Sequence, residues 1–270
     1  MLISCNLHTH TTFCDGKNSA EEIVQEALRL GMTTIGFSGH SATGLGIFGM
    51  TQERQAQYRE EILRLKELYR DRICVLLGIE QDYFSGVPTE KFDYVIGSVH
   101  YVRCGEEYIP MDSSAKHLTD GAARHFHGDL FALSRAYYET LARIVERTDC
   151  DIIGHFDLLT KFNEGGVMFD ENDYRYRRVA LDVLDALLEK DVRFEINTGA
   201  IARGYRRTPY PSPWILRRIA EKKGRIVLNS DAHAKAHLQC FFPEAVQYAK
   251  ACGVGGIDIL TAQGWRTVPI

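Results

Sequence analysis

At 270 residues, with 45% apolar and 25% charged residues, the chain has the composition of an ordinary globular protein and is long enough to bury a large core unaided. A formal net charge of −4 supplies no basic stripe for nucleic acid, and no apolar run approaches the roughly 20 residues that cross a bilayer. Seven cysteines without a Cys-x-x-Cys pair, and an N-terminus without a basic start and apolar stretch, predict a reduced, cytoplasmic protein; nothing in the pattern fixes an oligomeric state.

A strand is predicted over residues 2–7. Residues 19–30 read as a helix, with Ser19 as N-cap, Glu22 completing a capping box and Gly31 as the stop. A strand over 33–37 and a long helix over 51–69 follow, the helix carrying Ile62, Leu65 and Leu68 on one stripe. The runs 73–79 and 94–99 are nearly continuous in apolar residues, as expected of strands covered on both faces. Residues 104–128 break this rhythm, being polar and long, and read as an inserted active-site loop. Next come a helix over 129–147, a strand over 151–154, a helix over 171–190 and a strand over 192–196. Pro209, Pro211 and Pro213 punctuate the following loop, before a helix through Lys222. A strand over 225–228, a helix over 243–252 and a short strand or tail at 257–260 complete the chain. With no linker, repeat or low-complexity tract, one α/β domain over residues 1–270 is expected, a parallel barrel of seven units.

The strand ends carry the chemistry. His8 and His10 follow the first strand, and residues two apart in extended chain point to one face. His40, Glu80, His100 and His155 close the next four predicted strands, and Asp231 with His233 closes the seventh. Asp15, in a turn with Gly16, adds a further carboxylate. Imidazole and carboxylate are ligands for divalent Zn, Mn or Fe. Residues spread over more than two hundred positions can meet only if the strand ends gather at one rim, the C-terminal face of a barrel. Nine such groups exceed the needs of one centre, so three divalent ions are expected, with Glu80 able to bridge two. His117, His125, His127 and His237 lie away from strand ends and are expected to stay outside the cluster. Cys5 and Cys14, flanking the first motif, are expected to pack rather than ligate.

In these residues the chain resembles the PHP superfamily. The matching motifs are His8-Thr9-His10, Gly39-His40, Gly78-Ile79-Glu80, Ser98-Val99-His100, Gly154-His155 and Ser230-Asp231-Ala232-His233. The stretches 93–100 and 151–157, Lys161-Phe162, Glu195-Ile196-Asn197-Thr198-Gly199 and the pair Tyr137-Tyr138 resemble its histidinol-phosphate phosphatase branch; Phe156 stands where that branch often has proline. The resemblance implies a distorted (β/α)7 TIM-like barrel with a trinuclear metal site. It places His8, His10, Glu80 and Asp231 at the first ion, Glu80, His100 and His155 at the second, and Asp15, His40 and His233 at the third.

The implied reaction is hydrolysis of a phosphate monoester, L-histidinol phosphate, through attack of a hydroxide bridging two ions. Other PHP phosphoesterases, acting on nucleotides or phosphotyrosine, are the alternative. Asp231 would orient the nucleophile and His233 would help protonate the leaving oxygen. Arg203, just beyond the sixth strand, is the first choice for binding phosphate, and Lys161 the second. Arg206 and Arg207 read as a solvated pair. The substrate's ammonium and imidazole call for carboxylates or aromatics, and Asp112, Glu106 and Tyr101 are the residues offered.

Overall fold

The computed structural model describes residues 3–45 and 48–270; the expected start of the first strand at Leu2 lies outside them. Strand β1 (Cys5–Asn6) leads to helix α1 (Ala20–Arg29). The Ser19 hydroxyl accepts from the Glu22 amide while the Glu22 carboxylate accepts from the Ser19 amide, so the capping box read from sequence is formed. Strand β2 (Thr34–Phe37) and helix α2 (Gln52–Leu68) follow. The buried stripe of α2 is Tyr58, Ile62 and Leu65; Leu68, expected on that stripe, is 56% exposed because the turn continues through Tyr69 instead.

Strand β3 (Cys74–Asp82) runs beyond the expected end, so Glu80 belongs to the strand itself. Strand β4 (Tyr94–Ser98) pairs with it in parallel. The region expected as a loop is ordered structure: a hairpin of β5 (Tyr101–Cys104) and β6 (Glu107–Pro110), turned at Gly105, then helix α3 (Ala115–His125). Ile109, Met111, Leu118 and Ala122 are buried in this insertion, and Ile109 packs against Gly121 of α3, a small core that the polar composition concealed. The helix expected over 129–147 is two, α4 (Leu130–Leu141) and α5 (Ile144–Thr148), broken at Arg143. Strand β7 (Ile152–Ile153), helix α6 (Tyr174–Leu188), strand β8 (Arg193–Asn197), the single turn α7 (Gly199–Ala202), helix α8 (Pro213–Glu221), strand β9 (Arg225–Asn229) and helix α9 (Phe242–Ala251) complete the alternation. The C-terminal tail is an antiparallel hairpin, β10 (Gly256–Thr261) with β11 (Gly264–Pro269).

Among the described residues the main sheet has seven strands, all parallel, in the order β1-β2-β3-β4-β7-β8-β9. Backbone bonds from His10 N to Ala232 O (2.9 Å) and from Ala232 N to His8 O (3.1 Å) join the chain beyond β1 to the chain beyond β9 and close the barrel. The Tyr94 ring fills the barrel interior, donating its hydroxyl to Leu7 O and Phe37 O. A Cβ on Gly36 would stand 2.4 Å from that hydroxyl, and one on Gly78 2.2 Å from Tyr94 Cζ, so both glycines make room for the ring. Tyr137 and Tyr138 are fully buried behind β7: Tyr137 donates to Phe156 O and Tyr138 pairs with Tyr176, while Phe156 packs on Phe194. No helix among the described residues is long and apolar enough to cross a membrane, and all seven cysteines are free.

Candidate metal centre

Each strand delivers its side chain to the same rim. The chain beyond β1 is extended, so His8 and His10 both face inward, while Thr9 between them turns outward to Gly36 O. His40 lies opposite Glu80 in register. The turn after β9 holds Asp231 at φ 47°, a left-handed conformation that aspartate tolerates, and this aims both Asp231 and His233 at the centre. Gly16 is required beside them, since a Cβ there would meet the His10 and Thr11 backbone at 2.5 Å. The Asp15 turn therefore packs directly on the His-x-His segment.

All nine residues expected at the site come together. Glu80 Oε2 lies 2.8 Å from His40 Nδ1, 3.4 Å from His8 Nε2 and 3.6 Å from His10 Nε2. Its other oxygen lies 2.9 Å from His155 Nε2 and 3.3 Å from His100 Nε2. Asp231 Oδ1 is 3.2 Å from His10 Nε2, and Asp15 Oδ2 is 3.1 Å from His233 Nε2. Three overlapping groups have ligand atoms close enough to share an ion: His10, Asp15, His40 and His233; His8, His10 and Asp231; His40, Glu80 and His100. His10 and His40 thus each stand in two groups, a sharing that the expected assignment of one ion to each histidine did not include.

Two opposed observations test whether cations fit. Glu80 is 1% exposed, yet Glu80 Oε2, His8 Nε2, His10 Nε2 and Asp15 Oδ1 are buried and, although oppositely charged or polar groups lie close, form no properly directed hydrogen bond among the described residues. Buried polar atoms left unpaired are costly, and divalent cations would satisfy this donor set of nitrogens and oxygens. The metal-free electrostatics carry the same strain. Burial pushes the Glu80 carboxyl up, but His40, His8 and His100 hold it well below its usual range. Burial also pushes the Asp231 carboxyl up, and Arg203, His8, His10 and His233 outweigh it. Burial disfavours protonated His8 and His100, yet the carboxylates raise both well above the ordinary value. His10 instead falls to about 3, through burial and the neighbouring His233 and His40. Cations at the centre would balance the same carboxylates that raise these histidines.

A cavity of about 250 Å³ opens over the cluster. Arg203, Lys161, Asp112 and Tyr101 line it, as expected of substrate contacts; Glu106 does not, being exposed in the hairpin turn. Arg203 donates to Asp231 Oδ2 (2.9 Å) and to Asp231 O (3.0 Å), so it braces a cluster carboxylate as well as facing the cavity. Lys161 donates to Asp112 O and sits over the Tyr205 and Phe162 rings. The pair expected to be solvated divides: Arg207 is exposed, whereas Arg206 is 8% exposed, bonded to Thr160 and lying over Tyr210. His117 bonds Ser114 and His125 bonds Glu107, both away from the centre. Cys5 is a core residue, while Cys14 Sγ lies 3.5 Å from His10 Nδ1.

Two carboxylates were missed. Glu195 Oε1 is 2.7 Å from His8 Nδ1, and Asp82 Oδ2 is 3.1 Å from His100 Nδ1. Each holds the far nitrogen of an imidazole whose Nε2 faces the centre. The signal for Glu195 was available: a carboxylate inside the apolar run Phe194-Glu195-Ile196 must be paired.

A closed parallel barrel with imidazoles and carboxylates converging on its C-terminal rim defines a metal-site protein of the TIM-like class. Its PHP domain model matches residues 6–199, and the chain belongs to the PHP family. A Deinococcus radiodurans protein named "Probable histidinol-phosphatase" is 30% identical over 266 residues, covering 92% of this chain and 94% of that one. The histidinol-phosphatase of Bacillus subtilis is 27% identical over 254 residues, covering 84% and 92%. A crystal structure of histidinol phosphate phosphatase from Lactococcus lactis, complexed with Zn, L-histidinol and phosphate, superposes with a TM-score of 0.71. It spans 98% of this chain and all of its own at 19% identity, a likeness of fold.

Proposed function

We propose that this chain hydrolyses L-histidinol phosphate to L-histidinol and phosphate, a step of histidine biosynthesis, as a cytoplasmic single-domain enzyme using three divalent ions of the Zn, Mn or Fe type. The carrying observation is the division of the Glu80 carboxylate, one oxygen facing His8, His10 and His40 and the other His100 and His155. The full-length likeness to proteins named histidinol-phosphatases supports the choice of substrate.

His8, His10, Asp15, His40, Glu80, His100, His155, Asp231 and His233 would hold the ions. When bound, these would supply Lewis acidity and positive charge for phosphoryl transfer to water. The side chains divide the remaining work. Arg203 would present its free N–H groups to phosphate oxygens while fixing Asp231. Asp231, with Oδ2 held in this way, would orient the attacking water through Oδ1. His233 is 21% exposed at its side chain whereas His8 and His10 are closed off, but its Nε2 would hold an ion and its Nδ1 meets the Arg203 guanidinium at 2.9 Å, so the leaving oxygen would take its proton from water in the cavity. Lys161 would add a second positive charge over the cavity, and the Asp112 carboxylate, 3.5 Å from it, would take the substrate's ammonium.

The test is phosphate release across a panel of phosphomonoesters with Mn²⁺ or Zn²⁺ present. Preference for histidinol phosphate over phosphotyrosine and nucleoside monophosphates is expected; equal rates on all three would remove the substrate assignment.

A further inference from the structure

The role of His8 as a cation ligand, on which this inference rests, requires a particular tautomer. Its Nε2 faces Glu80 Oε2 at 3.4 Å and Asp231 Oδ1 at 3.8 Å, so the lone pair must be on Nε2 and the proton on Nδ1. Among the described residues Nδ1 meets one group that enforces this, the Glu195 carboxylate at 2.7 Å, with both side chains fully buried.

Glu195 is itself fixed on every side. Oε1 also accepts from Asn229 Nδ2 at 2.9 Å. Oε2 accepts from Asn197 Nδ2 at 2.9 Å and from the backbone N–H of His155 at 2.9 Å. The last bond reaches a residue held at φ 21°, outside the common conformations. One carboxylate on β8 therefore sets the ring state of a histidine after β1 and the backbone position of another after β7. It lies on the far side of the His8 ring from Glu80 and Asp231, so it cannot share their ion.

We infer that Glu195 is a positioning residue: it locks His8 in the Nδ1–H tautomer and seats His155, so that both offer Nε2 to the cation site. The hydrogen-bond pattern makes glutamine an informative replacement. Every partner of Glu195 donates: His8 Nδ1–H, His155 N–H and two asparagine amides. A glutamine of the same shape has one acceptor and one donor end. With its oxygen toward His8, its NH₂ opposes the His155 and Asn197 donors. With its NH₂ toward His8, it forces the proton onto Nε2, the nitrogen that must ligate.

The experiment uses the full-length chain. Mn²⁺ is titrated into metal-free wild type and Glu195→Gln, with circular dichroism as a fold control and phosphate release as a separate readout. Glu195→Gln is expected to keep its fold and to bind at least one Mn²⁺ about 10–100-fold more weakly. Unchanged Mn²⁺ affinity in a folded Glu195→Gln protein overturns the inference. Should that variant not fold, the tautomer is read in wild type by long-range ¹⁵N–¹H correlation of labelled histidines, loaded with diamagnetic Zn²⁺. A proton on His8 Nδ1 with Nε2 ligated supports the inference, and an unprotonated Nδ1 overturns it. Failure of wild type to bind any ion would instead remove the metal-site reading itself.

Discussion

Replacing Gly36 with alanine would set a methyl carbon 2.4 Å from the Tyr94 hydroxyl oxygen and 2.9 Å from Cζ, where ordinary contacts fall at about 3.5–4.0 Å. The ring is enclosed in the barrel, so it can retreat only by straining its surroundings. Forcing a methyl into a packed core costs about 1–3 kcal/mol. Displacing the hydroxyl from Leu7 O and Phe37 O adds about 0.5–1.5 kcal/mol. Gly36→Ala should therefore lose about 1.5–4.5 kcal/mol by urea unfolding in chelator, which holds metal linkage constant. The control is Tyr94→Phe. It removes the oxygen that the new methyl would strike, so Gly36→Ala made on top of Tyr94→Phe should cost at least about 1 kcal/mol less, a coupling of the size found between touching residues. Gly78→Ala should show no such rescue, because its close contacts are ring carbons, at 2.2, 2.5 and 2.6 Å, that phenylalanine retains. Equal cost of Gly36→Ala with and without Tyr94→Phe, or a Gly78→Ala protein of full stability, would refute the packing argument.

Glu80→Ala should lower phosphate release by at least about 100-fold and reduce the ions retained per chain, measured by elemental analysis after gel filtration. Lys161→Met should raise KM for histidinol phosphate about tenfold with a smaller change in kcat; an effect confined to kcat would contradict a binding role. Stability of the metal-free chain should peak on the acid side of neutrality. His8, His40 and His100 are raised above 6.5 by their carboxylates, so the stability they add is whole below 6.5 and is lost as pH rises through their folded values. Glu80 and Asp231 are held low, so theirs is present above the ordinary carboxylate range and is lost as pH falls through their folded values. His10, lowered to about 3, opposes the other histidines below 6.5 but is outnumbered. Thermal melts in chelator across pH check this; a midpoint still climbing above pH 6.5 would contradict it.

The rim of the barrel was legible because each inward residue ends or follows an apolar run, and parallel strands bring such ends together. His8, Glu80 and Asp231 could be grouped without knowing any distance. Which ligands share an ion was not legible: His10 and His40 belong to two groups because the ring positions depend on the Asp15 turn and on the closure at Ala232. Glu195 could have been found by the reasoning applied to Glu80, since both are carboxylates in strands buried on both faces. Arg206 could not, as its burial depends on contacts with Thr160 and Tyr210 that are distant in sequence or formed by the loop. The insertion at 104–128 misled because a hairpin and a short helix half-covered by solvent carry few apolar residues, of which Ile109, Met111, Leu118 and Ala122 are buried. The break at Arg143 has no glycine or proline to announce it.

The most direct measurement is the initial rate of phosphate release from L-histidinol phosphate before chelation, after removal of divalent ions, and after Mn²⁺ or Zn²⁺ is restored. The convergent cluster predicts that activity disappears with the ions and returns with them, in wild type but not in Glu80→Ala. An undiminished rate in the fully stripped protein would contradict it.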